Sequence, residues 1–203
     1  MRVFLGITGA SGAPYAARLL QALAARDVEV GVCASSAGLE VLATELYGDP
    51  ALPRDEVMRR VLANADGARE GSVRWWAPND WSAPYASGSA KVDAYVICPC
   101  SMGTLGTIAS GTMTNLIHRA ASVALKEERR LIVVPRETPL STIHLQNMLT
   151  LRQAGATILF AAPGFYHQPQ GVSDLVDFVV ARLLDQLGLD NDLSGRWGEG
   201  QSR

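Results

Sequence analysis

The sequence predicts an α/β fold, a doubly wound parallel sheet in a single domain, and three observations carry that expectation. Strand-like runs alternate with helix-patterned segments along the chain, the pattern of strands joined by crossover helices on both faces of one sheet. Three of those runs end in turns rich in Gly, Ser, Thr and Pro, and open α/β sheets bind ligands at the carboxyl ends of their strands. At 203 residues the chain suits one domain, which at this size buries roughly 70% of the surface its unfolded form exposes.

The first strand is expected at Val3 to Thr8, ending in the turn Thr8-Gly9-Ala10-Ser11-Gly12 and opening a helix over Pro14 to Ala25. A second strand, Val28 to Ala34, ends at Cys33-Ala34-Ser35. Gly48 to Arg54 reads as poorly ordered, and Ser72 to Trp76 as a third strand. The segment Ala77 to Lys91 is too long for a simple connection, and loops of that length are usually functional or mobile. A fourth strand, Asp93 to Cys98, leads into Cys98-Pro99-Cys100 and then Ser101 to Thr104, a helix start offering hydroxyls and N–H groups. Helical spacing returns at Thr114 to Lys126. The apolar strand Arg130 to Val134 then delivers Pro135-Arg136-Glu137-Thr138-Pro139, a base and an acid between two stiffening prolines. A helix at Ile143 to Gln153 shows Leu145, Met148, Leu149 and Arg152 on one face, followed by a last strand at Thr157 to Ala161. The final helix, Val172 to Leu187, carries Asp177, Phe178, Val180, Ala181 and Leu184 on one stripe with Arg182 elsewhere, and Gly188 ends it. The domain is therefore placed at 1–188, with 189–203 a tail expected to contribute to the site or to a subunit interface.

Composition narrows the function. The 18 basic residues nearly balance the 20 acidic ones and form no basic stripe, which argues against nucleic acid. Three cysteines without CxxC spacing, far from the three histidines, imply no metal site and fit free thiols of a reducing cytoplasm. No run approaches the about 18 apolar residues of a membrane span, and the first apolar run breaks at Thr8-Gly9, too early for a signal sequence. His118, His144 and His167 read as hydrogen-bonded structural groups.

Several turns invite a ligand, each against a plainer reading. The Gly9 to Gly12 turn could hold an anion on backbone N–H groups and the helix dipole, or be a tight glycine turn only. Its spacing is not GxGxxG, and the second strand lacks the acid that grips an NAD ribose, so a mononucleotide is favoured over a dinucleotide. Ser11 resembles a nucleophile elbow without the second glycine of GxSxG. Cys98 and Cys100 read as buried structural thiols. Arg119 and Lys126 are solvated charges or ligand contacts with similar weight, whereas Arg136 follows a fully apolar strand. Trp81, Tyr166 and Trp197 lie in loop-like segments and suit either an aromatic wall or a subunit contact.

The ordered set Thr8-Gly-Ala-Ser-Gly-Ala13, Cys98-Pro-Cys-Ser101, Arg119-Ala-Ala, Val123-Ala-Leu-Lys-Glu127, Val134-Pro-Arg-Glu-Thr-Pro139 and Pro163-Gly-Phe-Tyr-His-Gln-Pro169 resembles the UbiX-like flavin prenyltransferases over nearly the whole chain. The resemblance implies a Rossmann-like or flavodoxin-like fold and a homododecamer with active sites between subunits. It implies transfer of a dimethylallyl group from dimethylallyl monophosphate to N5 and C6 of reduced FMN, giving a prenylated flavin for a UbiD-type decarboxylase. Carried over position by position, Gly9, Ala10, Ser11, Ser35, Ser101, Met102, Gly103, Thr104 and Arg136 match FMN contacts. Tyr166 and Arg182 match prenyl-phosphate contacts, and Lys126 and Glu137 match residues handling phosphate and proton. Glu45, Trp81, Arg119 and Trp197 match further active-site positions, with Ser11, Glu137, Lys126 and Glu45 as the catalytic set. With no DDxxD motif to hold Mg²⁺, neutralisation of the leaving group falls to Lys126, Arg136 and Arg182. The alternatives are an FMN-dependent cysteine decarboxylase, although its PxMNxxMW motif is not recognisable here, and a non-catalytic flavin carrier subunit.

Overall fold

The computed structural model describes residues 1–65, 71–196 and 198. Six strands, β1 (Arg2–Ile7), β2 (Glu29–Ala34), β3 (Val73–Trp75), β4 (Ala94–Cys100), β5 (Arg130–Pro135) and β6 (Thr157–Ile158), form one sheet in the order β3-β2-β1-β4-β5-β6. Every pairing is parallel, with Val3 opposite Val30 on one side and Ala94 on the other. Parallel strands buried on both faces should read as continuous apolar runs, and all seven residues of β4 are buried. The chain leaves β1 in one direction and returns on its other side as β4, so the switch point lies between those two strands.

Among the described residues seven helices cover the two faces: α1 (Ala13–Ala24), α2 (Ser36–Tyr47), α3 (Arg54–Ala63), α4 (Met102–Ala109), α5 (Leu116–Lys126), α6 (Thr142–Gln153) and α7 (Val172–Leu187). Alternation along β1 sorts them. Val3, Leu5 and Ile7 pack with apolar residues of α1, α2, α3 and α7, while Phe4 points into the layer made by α4, α5 and α6. Gly6 also belongs to the second face, where a Cβ would come within 2.9 Å of Ile97 Cδ1.

Several elements differ from the sequence expectation. Helix α2 is absent from the sequence expectation, and α3 starts inside the stretch read as poorly ordered; α2 spreads its apolar residues around its axis and so shows little contrast between faces, while α3 buries only Val57 and Val61 in a polar sequence. Helix α6 buries Met148 of the expected face together with Leu151, whereas Leu145 and Leu149 are 53% and 49% exposed, so the inward stripe is rotated from the one expected. On α7 the buried set is centred on Val176, Val179, Val180, Leu183 and Leu184, and Asp177 instead pairs with Arg18 of α1 at 2.5 Å. The long connection before β4 is partly core: its short 3-10 helix Pro84–Ala86 inserts Tyr85, whose ring lies 5.0 Å from that of Phe4 and covers Gly31. Strand β6 is assigned only two residues, yet pairing continues, because the Leu159 and Ala161 amides donate to Val133 and Pro135 carbonyls at 2.9 and 3.1 Å. No helix among the described residues is long and apolar enough to cross a membrane.

Candidate functional site

The ends of β1 and β4 are tied together at the switch point by one side chain. The Thr8 amide and hydroxyl both donate to the Pro99 carbonyl, at 3.1 and 2.9 Å, and the Ser101 amide donates to Thr8 Oγ1 at 2.8 Å. Helix α2 closes on the same edge at two glycines. A Cβ on Gly9 would stand 2.6 Å from Ala37 Cβ, and one on Gly38 would stand 2.5 Å from the Ile7 carbonyl oxygen. From the neighbouring strand Arg136 Nε donates to the Ser11 carbonyl at 3.1 Å, while Glu137, half-buried, accepts from the Thr138 amide at 3.0 Å. The structure thus gathers Gly9, Ala10, Ser11, Ser101 and Arg136 on one edge, with Glu137 next in the chain.

Three helices, α1, α2 and α4, begin at this edge, and their first turns offer N–H groups without intrahelical partners. They are not equivalent. Glu45 of α2 accepts from the Gly12 and Ala13 amides, each at 2.8 Å, so an internal carboxylate already occupies the α1 terminus on which the sequence suggested an anion. Ser35 caps α2 by accepting from the Gly38 amide, and Ser101 caps α4 by accepting from the Thr104 amide at 3.3 Å. Around Gly103 there is open space, for a Cβ there would meet nothing within 4 Å. The α4 terminus, the Ser35 region and the Arg136 cation fit the phosphate of a mononucleotide. With Glu45 on the α1 amides, the amides of the α4 start remain as the more open donors of this edge.

Two cavities collect the other candidates. Tyr166, Phe178, Arg182, Asp185 and Arg196 line one of about 320 Å³. Its rings are mutually braced: Tyr166 meets Phe178 edge-on at 5.7 Å, and His167 stacks on Phe178 at 5.2 Å. Trp81, Ala86, Met113 and Arg119 line a shallow second cavity of about 420 Å³, where Arg119 Nε donates to the Ala86 carbonyl at 2.8 Å. Lys126 stands apart. It ends α5, pairs with Glu127, and precedes Arg129, whose guanidinium donates to the Gly88 and Ala90 carbonyls. Strand β5 starts one residue later, so within one chain Lys126 lies at the edge where strands begin and Glu137 at the edge where they end. Trp197 lies outside the described residues.

Residues that sequence reading passed over also line these cavities. Asp185 and Arg196 face Arg182, and only the i, i+3 spacing from Arg182 to Asp185 was visible beforehand. The histidines divide. His118 shares a hydrogen bond with Thr114 Oγ1 at 2.9 Å and His144 completes the α6 capping box, as structural groups do. The expectation fails for His167, whose two ring nitrogens are buried without hydrogen-bond partners. The three thiols are free and buried, and burial pushes those of Cys33 and Cys98 up to about 12. No cluster of three metal-ligating side chains occurs among the described residues.

A doubly wound sheet of order 3-2-1-4-5-6, with helix starts and a guanidinium at its switch point that suit a mononucleotide phosphate, defines the class of protein. Comparison with known proteins agrees and narrows it. The family described as Flavoprotein matches residues 1–184. The flavin prenyltransferase UbiX of Pseudomonas aeruginosa is 55% identical over 98% of this chain and 94% of its own. A solved dodecameric FMN-dependent UbiX-like decarboxylase from Escherichia coli superposes with a TM-score of 0.83 at 42% identity, covering 97% of this chain and 99% of that one. The structure of AnUbiX in complex with FMN and dimethylallyl pyrophosphate superposes with a TM-score of 0.84 at 39% identity, covering 97% and 96%. The chain belongs to the flavoprotein family and, within it, to the UbiX flavin prenyltransferases.

Proposed function

We propose that this protein transfers a dimethylallyl group from dimethylallyl monophosphate to N5 and C6 of reduced FMN, and that the product serves a UbiD-type decarboxylase in the cytoplasm. The near-full-length relation to flavin prenyltransferases carries this reading, and the site supports it. Reduced flavin supplies the nucleophilic positions when bound. Ser35, Ser101 to Thr104 and Arg136 hold its phosphate by helix-start amides, hydroxyls and one guanidinium. Tyr166 and Arg182 take the phosphate of the donor, whose C1–O bond breaks as the phosphate leaves with the electron pair. Glu137, beside Arg136, moves a proton at that phosphate, and charge on the leaving oxygen is balanced by guanidinium and ammonium groups rather than by a metal.

Lys126 joins this machinery only if a second copy supplies it, since in one chain it stands at the opposite edge of the sheet. The outward apolar side chains Ile143, Leu145 and Leu149 of α6 support such an assembly, a homododecamer by analogy with the UbiX-like relative. The test is anaerobic incubation with reduced FMN and dimethylallyl monophosphate, with and without EDTA, followed by mass analysis of the flavin. A prenyl mass increment that persists in EDTA is expected. No increment overturns the transferase reading, and an increment restored only by Mg²⁺ overturns the side-chain neutralisation.

A further inference from the structure

The connection before β4 folds back over the end of α5 and makes a seat there for Lys126. Arg129 clamps it: its guanidinium donates to the Gly88 carbonyl at 2.6 Å and to the Ala90 carbonyl at 2.7 Å, and reaches the Tyr95 hydroxyl at 3.3 Å. Within the loop the Ser87 and Ser89 hydroxyls share a hydrogen bond at 2.8 Å. Two turns before Lys126 on α5, Arg119 donates to the Ala86 carbonyl of the same loop at 2.8 Å, so the helix holds the loop from both sides of the seat. Between these ties Lys126 and Glu127 pair with each other and lie against Gly88. A Cβ on Gly88 would stand 2.6 Å from Glu127 Cδ and 2.8 Å from Lys126 Nζ. Gly88 has no left-handed φ, so its backbone does not require glycine; the two charged side chains do. The paired side chains are 49% and 33% exposed, and an ion pair that open contributes little to stability. Stability therefore does not account for a seat and a clamp built around it.

We propose that Gly88 and Glu127 are positioning residues for Lys126, holding its ammonium ready for the phosphate of the prenyl donor bound on a second copy of the chain. The inference rests on the role proposed above for Lys126. A lysine head rides on a flexible four-carbon stem, and freezing that stem when a ligand arrives costs binding energy. A stem already held by a carboxylate partner, on a loop fixed by Arg129, has lost that freedom before the donor comes. The ammonium has three N–H donors, so one given to Glu127 leaves two for phosphate oxygens. Gly88 is the element that lets both heads lie on the loop backbone.

The test is a double-mutant cycle in the full-length, FMN-loaded assembly, read as calorimetric affinity for dimethylallyl monophosphate and as single-turnover prenylation. Gly88→Ala and Glu127→Ala should each weaken donor affinity about tenfold, the loss of roughly one charge-assisted contact, and slow prenylation. FMN affinity and the thermal midpoint should stay at wild-type values, because the methyl group of Gly88→Ala meets side-chain ends and not backbone. In a Lys126→Ala background neither change should cost anything further, since both act through Lys126. Glu127→Gln should keep part of the affinity, its amide oxygen still accepting an N–H from the ammonium. Wild-type affinity and rate in both single variants would overturn the proposal, and so would losses that persist in full without Lys126. Tighter donor binding in Glu127→Ala would make Glu127 a competitor for Lys126 and overturn it as well. If Gly88→Ala lowers the thermal midpoint, Glu127→Ala and its cycle decide the matter. If Lys126→Ala itself binds donor and turns over like wild type, the role of Lys126 falls and this inference with it. If wild type binds donor but never prenylates flavin, the transferase reading fails while the affinity cycle still decides this one.

Discussion

Glu45 shows how one side chain redirects a site. Its carboxylate accepts from two first-turn amides of α1 and so satisfies donors that the glycine turn would otherwise offer to a ligand. Replacing it with Ala should lower stability by about 1–2 kcal/mol, the usual cost of losing an N-terminal cap, read as a shift of the urea midpoint at unchanged slope. An unshifted midpoint would mean that the two contacts are marginal. The thiols make a second residue-scale case. Burial raises all three pKa values, so the thiolate is scarce and screened from solvent. Ellman's reagent should label none of Cys33, Cys98 and Cys100 in the native protein within minutes, and all three in denaturant. Rapid native labelling would assign reactivity to a thiol placed here in the core.

Among the elements, the join between β1 and α2 sets the geometry of the site edge, and Gly38 is its closest contact. A methyl group there would stand 2.5 Å from the Ile7 carbonyl oxygen, a backbone atom with little room to give. Gly38→Ala should push α2 outward and lose about 1–3 kcal/mol of stability, the usual cost of overpacking, and should weaken FMN binding because Ser35 moves with the helix. Stability and flavin affinity equal to wild type would show the join to be soft. Helix α5 yields a pH dependence. Burial lowers the pKa of His118, so below about 6.5 the unfolded chain takes up a proton that the folded chain resists. Stability from this group is therefore present above about pH 6.5 and is lost as pH falls towards the depressed folded value. In His118→Gln the acid-side slope of stability against pH should flatten over that interval; an unchanged slope would clear His118 of the effect.

The whole molecule poses the question of Lys126. Its edge of the sheet is not the edge of Glu137, so a site using both draws on two copies of the chain. Two variants, Lys126→Ala and Glu137→Gln, should each lose about 10²–10⁴-fold in single-turnover prenylation while keeping FMN affinity. Co-assembled in equal amounts, they should regain activity, because random assortment of copies leaves about a quarter of sites with both wild-type groups. No recovery, with mixed oligomers confirmed by mass, would confine the site to one chain. The same scale explains the outward face of α6: Leu145 and Leu149 leave water only in an assembly.

Periodicity and turn chemistry were sufficient, in the sequence alone, for the alternating order of strands and helices, because apolar runs and their breaking Gly and Pro residues act locally. The six strands lie where the runs placed them, within a few residues at their ends. Those runs could not say which layer a helix joins, nor that α2 and α3 exist, since a short stripe such as Val57 and Val61 gains its meaning only against the sheet it meets. Candidate residues were legible as types in ordered motifs, and one edge of the sheet does collect Ser11, Ser101 and Arg136. What only the tertiary structure decided is who faces whom: Glu45 on the α1 amides, Lys126 on the far edge, and Arg196 beside Arg182 across Asp185. Such meetings join residues from separate elements, and their geometry follows from how helices pack on a twisted sheet, which no local pattern in the chain encodes.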